Sequence, residues 1–208
     1  MPIRAALYDF DGVIIDSLEE NHRALAEVFR EHGVEPPDFP TYCQEITTPF
    51  YEFCVRCGLC IEGERIREAF IRMINREPIP LVPGFIDAVH GLVQREKILG
   101  VVSAACPGDV HNRLLREGLR DHFAAVVEDT AHKVDAILAF MERHNLKGEE
   151  VLFVGDLPSD IRDGKAAGVQ TVAFGAFSPI LPRLVAARPD HVIIQHPEIL
   201  ALVDRLSA

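Results

Sequence analysis

Asp9 and Asp11 stand two residues apart in Leu7-Tyr8-Asp9-Phe10-Asp11-Gly12-Val13, where an apolar run stops at a glycine. Two carboxylates at that spacing suit a nucleophile and its acid–base partner. An aspartate with a reference pKa of about 3.9 is ionised at neutral pH and can attack phosphorus without the help of a base. The second carboxyl, surrounded by like charge, can hold a proton for a leaving oxygen and then activate water. The same letters could open a calcium loop, with Glu20 at the twelfth position. Val13 and Ile15 take ligand positions of such a loop, however, and Ile14 replaces the glycine needed at the sixth.

Further polar residues close other apolar runs. Ser103 follows Ile98 to Val102, Lys133 opens a helix after Ala125 to Glu128, and Asp156 follows Val151 to Gly155 ahead of Leu157-Pro158-Ser159-Asp160. In an open parallel sheet such strand ends gather around one crevice. Asp160 as a helix cap and Ser103 as a turn residue are adequate explanations singly, but less so for the set. Two unit charges of like sign 4 Å apart at an effective dielectric of 20 repel by about 4 kcal/mol. Four neighbouring carboxylates therefore call for a hard cation. Mg²⁺ suits a site that leaves positions for water and a substrate phosphate. The expected roles are Asp9 as nucleophile, Asp11 as acid–base group, Asp9 and Asp156 as metal ligands, and Asp160 as a support for the metal's water shell. Ser103 and Lys133 would hold the transferring oxygens.

The elements that must place these groups are legible from periodicity. Ile3 to Asp9 suits a strand, and Ser17 to Glu20 a capping box for a helix with Leu18, Leu25, Val28 and Phe29 on one face. Residues 35–40 suggest a loop, Phe50 to Cys57 a second helix, and Ile66, Ala69, Phe70 and Met73 a third. Pro78, Pro80 and Pro83-Gly84 suggest a rigid linker. From Gly84 onward, apolar strands alternate with helices up to a final helix from Pro197 to Leu206. This predicts an α/β fold with a doubly wound, Rossmann-like parallel sheet built from 1–15 and 81–208, and a small α-helical insert over 16–80.

Net charge −11 over 208 residues gives no basic surface for nucleic acid. No apolar run approaches the roughly 18 residues of a membrane span, and no cleavable signal is evident, so a cytoplasmic protein is expected. The oligomeric state is left open. Cys54-x-x-Cys57-x-x-Cys60 superficially resembles a cluster-binding run. Phe50, Phe53, Cys54 and Cys57 nevertheless fall on one helical face, which favours packed, reduced thiols. The nine histidines are scattered, with His132 beside Lys133, and Asp163 suggests a solvated helix residue. Phe50, Tyr51 and Phe53 suggest core of the insert, whereas the loop from Pro40 to Pro49 is placed to face the site.

Asp9-Phe10-Asp11-Gly12-Val13, Ser103, Lys133 and Gly155-Asp156-x-x-x-Asp160 together resemble, in order, the four motifs of the haloacid-dehalogenase-like hydrolase superfamily. The helical insert is similar to that superfamily's α-helical cap in its phosphoglycolate phosphatase and β-phosphoglucomutase branch. The resemblance implies a Mg²⁺-dependent phosphatase acting on a small phosphorylated metabolite through an aspartyl-phosphate. It further implies that the Asp11 backbone carbonyl is a third protein ligand to the metal after Asp9 and Asp156, with Asp160 completing the metal site, and that the cap closes over substrate. Ser103, Ala104 and Lys133 would be the phosphate-binding positions. Ala104 stands where a polar residue is common, which removes one contact, and Val134 replaces a common proline. Asp11 disfavours dehalogenation, and the absence of lysine from the insert disfavours Schiff-base chemistry. A phosphosugar mutase and a non-catalytic phospho-aspartate regulatory module remain as alternatives.

Overall fold

In the computed structural model, residues 2–74, 79–130, 132–176 and 179–208 are described. The chain runs β1 (Ala5–Tyr8), α1 (Leu18–Glu31), α2 (Phe39–Glu45), α3 (Phe50–Arg56), α4 (Gly63–Ile74), α5 (Phe85–Gln94), β2 (Ile98–Val102), α6 (Asp109–Arg116) and β3 (Phe123–Val127). It continues as α7 (Lys133–Arg143), β4 (Val151–Gly155), α8 (Pro158–Ala167), β5 (Gln170–Phe174), α9 (Leu181–Ala186), β6 (His191–Ile193) and α10 (Glu198–Ser207). The six strands form one sheet in the order β3-β2-β1-β4-β5-β6, and every pair is parallel.

Strand period explains the layers. Ala6, Tyr8, Leu99, Val101, Leu152 and Val154 belong to an apolar cluster with Phe85, Val89 and Leu202 of α5 and α10. Their neighbours Ala5, Leu7, Val102, Val151 and Phe153 face the opposite way, against Ile137 and Phe140 of α7. Residues two apart share a sheet face, so both faces are apolar and both are covered by helices. The doubly wound α/β sheet with a helical insert after its first strand is therefore the fold observed.

The insert's helices α1 to α4 bury a third cluster, which includes Leu25, Phe29, Phe53, Cys54, Ile66 and Met73 and also takes in Ile161, Ile180 and Leu184 of the α/β layer. Arg183 of α9 ties the two together, donating to the Cys43 and Ile46 carbonyls at 2.8 and 2.9 Å at the C-terminal end of α2. Those carbonyls have no partner of their own within the helix. His196 fastens the other side. Its ring is fully buried and stacks on Phe174, and Nε2 donates to the Val13 carbonyl at 2.7 Å. Burial pushes its pKa from 6.5 down to about 4.

Several elements differ from the sequence expectations. Helix α2 occupies part of the expected loop, because Pro40 sits in a first turn, where proline is tolerated, and Asp38 caps it by accepting from Thr41 N–H at 2.9 Å. Helix α9 begins with Pro182 in the same way. Ser17 does not form the expected capping box, because its hydroxyl accepts from Gly12 N–H instead, at 3.1 Å. Pro78 of the expected linker lies outside the described residues. Phe53 and Cys54 are buried, Cys57 is half-buried and Cys60 exposed. Among the described residues no helix is long and apolar enough to cross a membrane.

Candidate active site

Strand order reverses on either side of β1, which pairs with β2 and β4. Ligand crevices form at such a reversal, outside the carboxyl ends of the strands. Tyr8 is in register with Val154, so Asp9 leaves β1 opposite Gly155, one residue before Asp156 on the adjacent strand. Glycine is required twice here. A Cβ on Gly12, whose φ is +70°, would lie 2.1 Å from Asp156 Oδ2, and one on Gly155 would lie 2.2 Å from Asp160 Cβ.

Lys133, with 1% of its surface exposed, reaches from the start of α7 to both Asp9 Oδ1 (2.8 Å) and Asp160 Oδ1 (2.7 Å). Asp9 Oδ1 also accepts from Phe10 N–H at 2.7 Å, which leaves Oδ2 without these donors. Asp160 Oδ2 accepts from Leu157 N–H at 3.0 Å, so both Asp160 oxygens are engaged. Carboxylate oxygens of Asp9, Asp156 and Asp160 lie within 4.8 Å of one another. The pKa of Asp9 is raised to about 7, most by burial, with Lys133 opposing the rise and Asp160 adding to it. Burial, then Asp160 and Asp9, hold Asp156 well above the usual carboxylate range. Burial alone would lower Lys133, but Asp160 and Asp9 outweigh it and raise its pKa. One lysine thus faces three buried carboxylates, an excess of negative charge made of hard oxygen donors. That donor chemistry fits a divalent ion such as Mg²⁺.

The Asp11 carboxylate is not part of this trio. It is half-buried and turns toward the insert, where Asn21 Nδ2 donates to its Oδ1 at 3.1 Å. Ser103 is buried beside the crevice and its Oγ accepts from Ala105 N–H at 3.1 Å. Asp9, Asp11, Ser103, Ala104, Lys133 and Asp156 all line one cavity of about 490 Å³. Asp160 is not part of its wall. The opposite wall comes from the insert, with Leu25, Tyr42, Ile46, Phe50 and Phe70, and with Thr47 and Thr48 from the expected site-facing loop.

Three assignments change. Phe50 lines the cavity rather than only the insert core, and Tyr51 is 42% exposed. Asp163 is half-buried and its Oδ2 accepts from Lys133 N–H at 3.4 Å, supporting the start of α7 rather than standing in solvent. His132 is exposed, while His196, one of the scattered histidines, is the buried one. Asn21 was not legible as a site residue, since an asparagine on a polar helix face carries no motif.

The pattern of the haloacid dehalogenase-like hydrolase family matches residues 6–174. A phosphoglycolate phosphatase of Synechococcus elongatus is 26% identical, the match covering 98% of this chain and 99% of that protein. The pyrophosphatase PpaX of Oceanobacillus iheyensis is 25% identical over 98% of both. Among solved structures, a haloacid dehalogenase-like hydrolase from Streptococcus pneumoniae superposes with a TM-score of 0.80 at 22% identity, covering 96% of this chain and 98% of that one.

Proposed function

The chain belongs to the haloacid dehalogenase-like hydrolase family, and we propose that it is a Mg²⁺-dependent phosphatase that hydrolyses a small phosphate monoester through a phosphoryl group on Asp9. The carrying observation is the bridge Asp9–Lys133–Asp160 beside Asp156, which holds a nucleophile, a cation and spare negative charge at one strand-end crevice. The names of the two relatives share removal of phosphate and differ in what carries it.

Asp9, Asp156 and the Asp11 backbone carbonyl would hold the ion, with Asp160 supporting the set. When bound, Mg²⁺ offsets the negative charge of the phosphoryl oxygens and of the attacking carboxylate. The protein's own groups do the rest. Asp9 Oδ2 attacks phosphorus while Lys133 and Phe10 N–H hold Oδ1. Asp11 gives its proton to the leaving oxygen, then takes one from the water that cleaves the acyl phosphate. Ser103 and Lys133 bind the transferring oxygens, and the Ala104 side chain adds no donor to them. Residues 16–80 act as the cap, and its wall selects the leaving group.

The mutase alternative requires a cap cation able to hold a second phosphate. Arg67 is the cap's cation at the cavity among the described residues, and Asp129 (2.5 Å) and Glu64 (3.5 Å) already pair with it. The test is phosphate release from p-nitrophenyl phosphate. Release should require Mg²⁺, stop on chelation, and fall at least about a thousandfold in Asp9→Asn, equivalent to about 4 kcal/mol of barrier. Full activity in Asp9→Asn would overturn the assignment.

A further inference from the structure

We propose that Asn21 is a positioning residue for the acid–base carboxyl of Asp11, so that the helical insert orients the proton donor of the core. This rests on the role given to Asp11 above. Asn21 lies in the first turn of α1, and its Nδ2 donates to Asp11 Oδ1 at 3.1 Å and to Ser17 Oγ at 3.2 Å. Ser17 Oγ in turn accepts from Gly12 N–H at 3.1 Å. The amide is thereby tied to the turn that carries Asp11, from a helix outside the α/β core.

The unused atom shows what sets this orientation. Both amide hydrogens point at acceptors, while Asn21 Oδ1 is buried with no hydrogen-bond partner among the described residues. A buried acceptor left unmatched is unfavourable. Turning the amide over would offer that oxygen the Ser17 hydroxyl, but it would also set oxygen against the Asp11 carboxylate. The amide therefore serves Asp11 at the expense of its own carbonyl.

The geometry suits proton transfer. A carboxyl accepts at Oδ1 whether or not Oδ2 carries a proton, so a neutral amide donor orients both states and locks neither. An arginine or lysine would hold the charged state. With Oδ1 engaged by Asn21, Oδ2 is the atom that delivers the proton. As the Asp9–phosphorus bond forms and the bond from phosphorus to the leaving oxygen breaks, that oxygen takes the Asp11 proton and Asp11 is left as a carboxylate.

Leaving-group dependence tests this. p-Nitrophenolate departs with little need of a proton, whereas an alkoxide needs one. With Mg²⁺ present, kcat/KM would be measured for p-nitrophenyl phosphate and for ethyl phosphate in the wild type, Asn21→Ala and Asp11→Asn. Asn21→Ala should lose about tenfold more on ethyl phosphate than on p-nitrophenyl phosphate, and Asp11→Asn should show the same bias more strongly. Equal losses on both esters in Asn21→Ala, alongside a biased Asp11→Asn, would overturn the inference and leave Asn21 a structural residue. An unbiased Asp11→Asn would instead remove the acid role of Asp11 on which the inference rests. If circular dichroism shows that Asn21→Ala does not fold, Asn21→Leu, close in size and lacking the donor, takes its place with the same two outcomes.

Discussion

On its core side the cavity is walled by charged and hydroxyl groups held at strand ends, and on its insert side mostly by Leu25, Tyr42, Ile46, Phe50 and Phe70. The core wall is held by directional contacts. Lys133 bridges two carboxylates, Leu157 N–H holds Asp160, and glycines at 12 and 155 leave room for the Asp156 and Asp160 side chains. The insert wall is held by apolar packing and by hydrogen bonds at its margins, such as those of Arg183 and Asn21. A wall of buried charge tolerates little change, because each group has been removed from water and depends on a particular partner. An apolar wall tolerates repacking. Phosphoryl chemistry can therefore persist on one side of such a cavity while leaving-group preference drifts on the other.

Removing the central cation of the core wall should break it. Lys133→Met leaves Asp9 and Asp160 buried without their shared partner, and we expect a loss of about 3 to 5 kcal/mol in chemical denaturation of the metal-free protein. A loss below about 1 kcal/mol would place Lys133 in the same class as a surface pair.

His196 is the next test. Its ring is held neutral by burial, with a pKa lowered from 6.5 to about 4. The unfolded chain takes up this proton as pH falls below 6.5, and the folded chain does so only near 4. Its contribution of about 3 kcal/mol is therefore complete above pH 6.5 and is lost as pH falls toward 4. In the metal-free chain Asp9 acts with the opposite sign: its raised pKa favours the fold at low pH, and that benefit is lost as pH rises through about 7. The His196 contribution is accordingly measured on the ring itself, by an NMR titration of its carbon-bound protons. A midpoint near 4 is expected, and one near 6.5 would mean that the ring is not buried in solution.

The smallest effect belongs to the insert. Arg67 joins α4 to Asp129 with partly exposed groups on both sides, so Arg67→Ala should cost at most about 1 kcal/mol of thermal stability. Any change in turnover should appear in KM for the substrate rather than in the rate of the chemical step. A larger destabilisation would show that the two walls are held together more by charge than by packing.

The same contrast explains what was legible in the sequence. Asp9, Ser103 and Asp156 each follow an apolar run, and a parallel sheet brings such run ends to one edge, so their meeting could be argued from order alone. Asp160 and Lys133 follow because the helices α8 and α7 begin at that edge. The insert wall gives no comparable signal. Phe50 and Phe53 lie on one helical stripe, yet one lines the cavity and the other is buried in the insert, a division set by how α3 meets its neighbours. Helix α2 was masked by Pro36, Pro37 and Pro40, which suggest a loop until one of them is placed in a first turn. His196 and Asn21 have meaning only through tertiary partners, the Val13 carbonyl and the Asp11 carboxyl.

The most direct measurement is the covalent state of Asp9 during turnover. Protein mixed with a radiolabelled phosphate monoester and Mg²⁺, quenched in acid and digested, should carry one label, on the peptide containing Asp9. The label should be stable in acid and released by hydroxylamine, as expected of an acyl phosphate, and it should be absent from Asp9→Asn. Label on another residue, or rapid hydrolysis by Asp9→Asn at the wild-type rate, would contradict Asp9 as the phosphoryl acceptor.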